Sequence, residues 1–75
     1  MPHITVQMYP GRSDETKLML AQKLAEAASE ALGRGIEHFS VSVEDIPQEE
    51  WKEKVYDAAA DPQNRTVFVR PGYKL

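Results

Sequence analysis

The feature that most constrains this chain is the length of the link between its two alternating runs. Pro2 to Tyr9 puts Ile4, Val6 and Met8 on one face and His3, Thr5 and Gln7 on the other, the period of a half-buried strand. Phe39 to Ile46 repeats the pattern, with Phe39, Val41 and Val43 opposed to Ser40, Ser42 and Glu44. Between them, Asp14 to Leu32 repeats apolar residues at helical spacing: Leu18, Ala21, Ala25, Ala28 and Leu32, with Leu24 and Ala31 widening the stripe. A helix of that length cannot serve as a hairpin turn. It carries the chain back to its starting end, so the two strands are expected to be parallel with a right-handed crossover.

Local signals bound these elements. Pro10-Gly11 marks a turn, Ser13 or Asp14 can cap the helix, Asp14 and Glu15 suit its positive end, and Gly33 and Gly35 supply its stop. After Pro47, Gln48 to Ala60 reads as a shorter helix with Trp51, Val55, Ala58 and Ala59 on one side, ended by Asp61-Pro62. Thr66 to Val69 favours a strand or arm by propensity, and Pro71-Gly72 turns the chain again. The reading is an α+β fold, a β-α-β subunit forming one domain over residues 1–75. Two strands and a helix leave apolar surface open, so the sheet is expected to be completed by dimerisation.

Composition narrows the function classes. The 75 residues contain no cysteine and only two histidines, His3 and His38, which lack metal-ligand spacing. Nine basic residues against twelve acidic ones give a net charge of −3, a poor match to nucleic acid or an anionic membrane. No stretch resembles a secretion signal or a membrane span, so the cytoplasm is the expected compartment. A small domain without disulfide or metal is expected to associate with copies of itself.

Phosphate-cradling glycine loops, nucleophile elbows and paired-histidine metal motifs are all missing. Pro2 is the residue with unusual potential. A methionine followed by a small residue is normally removed, and loss of Met1 would turn the Pro2 nitrogen from an amide into a secondary amine. An amide nitrogen is not a base; an amine is. Apolar surroundings and a nearby cation would disfavour its protonated form and bring it towards the range where a general base works best. Without further context, Pro2 reads as the start of an edge strand, where proline is tolerated.

The context is supplied by Pro2-His3-Ile4-Thr5-Val6 followed by Gly11-Arg12-Ser13-Asp14-Glu15-Thr16-Lys17. This combination resembles the 4-oxalocrotonate tautomerase family, whose members begin with a catalytic proline. Pro47-Gln48-Glu49-Glu50-Trp51-Lys52 and the ending Pro71-Gly72-Tyr73 resemble its PptA-like branch. The resemblance implies a β-α-β subunit and keto–enol tautomerisation without metal or organic cofactor, with Pro2 as general acid and base. It implies that Arg12 holds a substrate carboxylate and that Trp51 forms an aromatic wall beside the proline. Phe39 reads as core, with a subsidiary role lining the pocket.

The sequence departs from the pattern at one position. The founding members carry a second arginine on the second strand, where this chain has Ser40. A serine offers a hydrogen bond but no charge. The expected substrate is therefore a small enolpyruvate with one carboxylate, such as phenylenolpyruvate, rather than a dicarboxylate. His3, His38 and Arg34 are the residues that could compensate. The branch resemblance favours a homodimer, with a hexamer as the alternative. Two other functions compete: iminium or hydration chemistry at the same proline, and a non-catalytic dimeric binding module.

Overall fold

The computed structural model describes all residues, 1–75. Strand β1 (His3–Met8) and strand β2 (Ser40–Asp45) lie side by side and parallel, in a register pairing His3 with Ser40, Val6 with Val43 and Met8 with Asp45. Backbone bonds from Ser40 N to the Pro2 carbonyl (3.3 Å) and from Ile46 N to the Met8 carbonyl (2.8 Å) extend the ladder past both ends. The alternation therefore places its elements as expected. Ile4, Val6, Met8, Val41 and Val43 are half-buried, while His3, Thr5, Gln7, Ser40 and Glu44 lie on the exposed face.

Helix α1 (Asp14–Leu32) is the crossover. Ser13 caps it by accepting from Thr16 N at 3.2 Å, and Gly33, at φ 65°, ends it in the left-handed conformation that glycine adopts without penalty. The face turned to the sheet differs from the expected one. Thr16, Lys17, Leu20, Ala21, Leu24, Ala25 and Ala28 are half-buried, whereas Leu18 and Leu32 are both 60 % exposed and Ala31 is exposed. The helix carries two overlapping apolar stripes, and a single subunit covers only one of them. Lys17 pins the helix to β2 through a 3.0 Å ion pair with Asp45.

After a short 3₁₀ turn (Ile36–His38) and β2, the chain forms α2 (Gln48–Trp51), a π-helical segment (Lys52–Tyr56) and α3 (Asp57–Ala60) in one continuous rod. The wider π turn shifts the phase of everything after it. Trp51, Val55, Tyr56, Ala59 and Ala60 are half-buried, and Ala58, expected on the inner face, is exposed.

Thr66–Val69 is not a strand, so the sheet has two strands only. Local polar bonds override the propensity. Asn64 accepts from Thr66 N at 3.1 Å and donates to the Ala58 carbonyl at 3.0 Å. The Arg70 guanidinium donates to the carbonyls of Ala59 (3.2 Å), Asp61 (2.6 Å) and Asn64 (2.8 Å). The result is a hydrogen-bonded loop that projects Phe68 (92 % exposed) and Val69 (88 %) away from the subunit.

The core is thin. Ile46 is the one buried residue, and even it keeps 9 % of its surface exposed. A folded monomer of this mass exposes about 4,700 Å², yet the chain exposes 5905 Å². Its radius of gyration is 13.9 Å, against about 11 Å for a compact chain of this length. The subunit is a slab of 37 × 31 × 19 Å with apolar surface left uncovered. No helix is long and apolar enough to cross a membrane.

Candidate active site

The residues singled out by the sequence fall at two opposite ends of the sheet. At the first end, Pro2 is half-buried and Met1 is 98 % exposed. The Pro2 carbonyl is fixed by Ser40 N, and Phe39, also half-buried, immediately precedes β2 at the same end. Ser40 itself is occupied. Its hydroxyl lies 2.6 Å from His3 Nδ1, and the other ring nitrogen lies 3.1 Å from Ser42 Oγ. A histidine bridging two hydroxyls thus engages Ser40, the position at which the sequence departs from the pattern it resembles. Of the three compensating residues considered, His3 alone contacts Ser40; His38 faces Glu37 at 3.8 Å.

The second end holds Arg12 and Trp51. A strand rises about 3.3 Å per residue, so the main chain travels about 20 Å between Pro2 and Met8. Arg12 lies in the link just beyond, after Gly11 (φ 122°) has turned the chain. It is exposed and has no carboxylate partner, while Lys17 at the same end is committed to Asp45. Trp51 lies at this end too, its ring edge-on to Tyr9 with centroids 5.1 Å apart and planes at 87°. Its indole Nε1 donates to Tyr73 Oη at 3.0 Å, and Tyr73 rests against Tyr56 with centroids 5.5 Å apart.

Within one subunit, then, Trp51 is not beside Pro2, and neither is Arg12. The structure brings Pro2, Phe39 and Ser40 together, and separately Arg12 and Trp51. A single chain encloses no cavity at either place. The sequence reading missed Tyr9, Tyr56 and Tyr73 as companions of Trp51. The available signals were an aromatic residue immediately before the Pro10-Gly11 turn and another immediately after Pro71-Gly72.

No cluster of histidine and carboxylate side chains has metal-binding geometry. The charges on the outer side of the rod are solvated. Lys54 has its pKa raised by a hydrogen bond from its ammonium group to Glu50 and by that carboxylate's charge, and it lies on the solvent-exposed side of the rod.

Residues 2–57 match the family model described as "Tautomerase enzyme". The chain is similar to a probable tautomerase of Xylella fastidiosa, at 38% identity over 97% of this chain and 89% of that protein. It is also similar to tautomerase PptA of Pectobacterium atrosepticum, at 36% identity over 97% of both chains. Among solved structures, the crystal structure of apo unFused 4-OT superimposes with a TM-score of 0.62 at 33% identity, covering 65% of this chain and 80% of that one.

Proposed function

The chain belongs to the tautomerase family of isomerases, in its PptA-like branch, and from that premise we propose that it interconverts the enol and keto forms of a small monocarboxylate of the enolpyruvate type. Pro2, freed by loss of Met1, is the proposed base. Its amine takes the proton of the enol hydroxyl as electron density moves to the carbonyl, and the resulting ammonium returns a proton to the neighbouring carbon. No net oxidation occurs and no cofactor is needed for the proton balance. The full exposure of Met1 supports its removal by a processing peptidase, and the half-buried Pro2 behind it is then the free terminus.

The observation that carries the reading is the family match over residues 2–57, with Pro2 immediately before β1 and Arg12 unpaired before α1. Arg12 offers a fork of donors matched to one carboxylate. Ser40 brings no second charge and is bonded to His3, which favours a monocarboxylate such as phenylenolpyruvate over a dicarboxylate.

The separation of the two ends supports a homodimer as the working unit. A two-fold axis that joins like sheet edges makes the strands run antiparallel across it. The Pro2 end of one subunit then lies beside the Arg12 and Trp51 end of the other. The excess exposed area, on the order of 1,000 Å² per chain by the monomer scaling, is what a stable interface covers on one partner. Leu18, Leu32, Phe68 and Val69 are its apolar candidates. The hydrogen-bonded polar face of the sheet, His3 with Ser40 and Ser42 and Gln7 with Glu44, is a poor surface for further assembly and favours the dimer over a hexamer.

The test compares mass-verified Met1-free and Met1-retaining protein on phenylenolpyruvate across pH. The Met1-free form should be active, with a rate that rises as the amine loses its proton, since only the unprotonated nitrogen accepts one. The Met1-retaining form should fold and turn over poorly. Equal rates would rule out the Pro2 amine.

A further inference from the structure

Tyr73 meets Trp51 at its one polar atom. The indole Nε1 donates to Tyr73 Oη at 3.0 Å while the ring forms a T-shaped pair with Tyr9. Tyr73 is itself held from a second side, with its ring against Tyr56 and its carbonyl accepting from the Tyr56 hydroxyl at 3.5 Å. The rod makes this double contact possible. In an α-helix, residues five apart point about 140° away from each other. The π turn, marked by the bond from Asp57 N to the Lys52 carbonyl, brings such residues towards one side. The 3.0 Å ion pair between Lys52 and Asp57 has the same spacing. Trp51 and Tyr56 consequently face the same tail residue. The tail is guided there by the three carbonyl bonds of Arg70 and by half-buried Pro71.

We propose that Tyr73 is a positioning residue that fixes the orientation of Trp51, so that the indole presents one set surface to the substrate. The proposal rests on the reading that Trp51 walls the proline pocket, and it adds a residue from the tail beyond position 57, where the family match ends. A free indole N–H can be satisfied by water in several ring orientations. Bonded to a tyrosine that is held by Tyr56 and Arg70's loop, it retains one. Tyr73 acts through Trp51 and does not take part in proton transfer.

Trp51 is the single tryptophan of the chain, so tryptophan fluorescence reports on its surroundings alone. Tyr73→Phe keeps the ring and removes only the hydroxyl. It should lower kcat/KM about three- to tenfold, the usual worth of one hydrogen bond, mostly through KM. The pH profile should keep its midpoint, the melting temperature should fall by only a few degrees, and acrylamide quenching of Trp51 should rise. In a Trp51→Phe background, which has no N–H to orient, Tyr73→Phe should have almost no effect on turnover. An equal loss in both backgrounds would mean that Tyr73 acts on the fold, and would overturn the proposal. So would full activity in Tyr73→Phe when Trp51→Ala is impaired. Full activity in Trp51→Ala would instead remove the reading beneath it, and that result is distinguishable because quenching would still register the lost bond in Tyr73→Phe.

Discussion

The two ends of this small sheet are built from different chemistry. The Pro2 end is held by backbone bonds and by a histidine set between two serines, with Arg34 and Glu37 in the link that leads into β2. The Tyr9 end is aromatic and cationic, with Tyr9, Trp51, Tyr56 and Tyr73 in contact and Arg12 unpaired beside them. One end has the candidate base; the other has the unpaired guanidinium and the aromatic residues proposed to bind substrate. The difference teaches that a subunit can hold all the residues of a site without forming one. It also gives the thin core a functional meaning, because the association that covers apolar surface is the same event that would join the two ends.

This contrast can be broken by substitutions at either end. The largest effect is expected from Arg12→Ala. Loss of a charge-assisted contact should cost on the order of tenfold to a hundredfold in kcat/KM on a carboxylate-bearing enol, with little change on a neutral one. Equal losses on both substrates would make Arg12 a structural residue and empty the second end of its binding role. Tyr9→Leu should come next. Removing the edge-to-face contact with Trp51 forfeits about 0.5–1.5 kcal/mol, visible as a lower melting temperature together with a severalfold rise in KM. A stability loss with KM unchanged would separate the aromatic cluster from the site. Ser40→Ala should do least. Its bond to His3 is solvent-exposed, so turnover should stay within about twofold and stability within about 1 kcal/mol. A loss as large as that of Arg12→Ala would show that the His3–Ser40 pair handles substrate.

The parts of this arrangement that were legible in the sequence are those set by near neighbours. Alternation fixed the faces of β1 and β2, Ser13 and Gly33 announced the ends of α1, and the length of α1 dictated parallel pairing. What was not legible depends on partners distant in sequence. Leu18 and Leu32 fit a helical stripe as well as Leu20 and Leu24 do, and only the packing against β2 decides between them. The π turn has no residue signature, so the outward rotation of Ala58 could not be foreseen. Thr66–Val69 has strand propensity, but the Arg70 carbonyl bonds hold it as a loop. Pro2, Arg12 and Trp51 were recognisable as residue types in a pattern. Their placement at opposite ends followed only from the structure.

The central claim is that a site is assembled from the Pro2 end of one subunit and the Arg12 end of another, and subunit mixing tests it most directly. Met1-retaining wild-type chain supplies an intact Arg12 with a blocked Pro2; Met1-free Arg12→Ala chain supplies the free amine without the guanidinium. Each alone should turn over phenylenolpyruvate poorly. Dissociated and reassociated together in equal amounts, they should recover about a quarter of the activity of Met1-free wild type, because half of the dimers then hold one complete site of two. Activity no greater than the average of the two separate samples would place Pro2 and Arg12 in the same-subunit site, or in no common site, and would contradict the account.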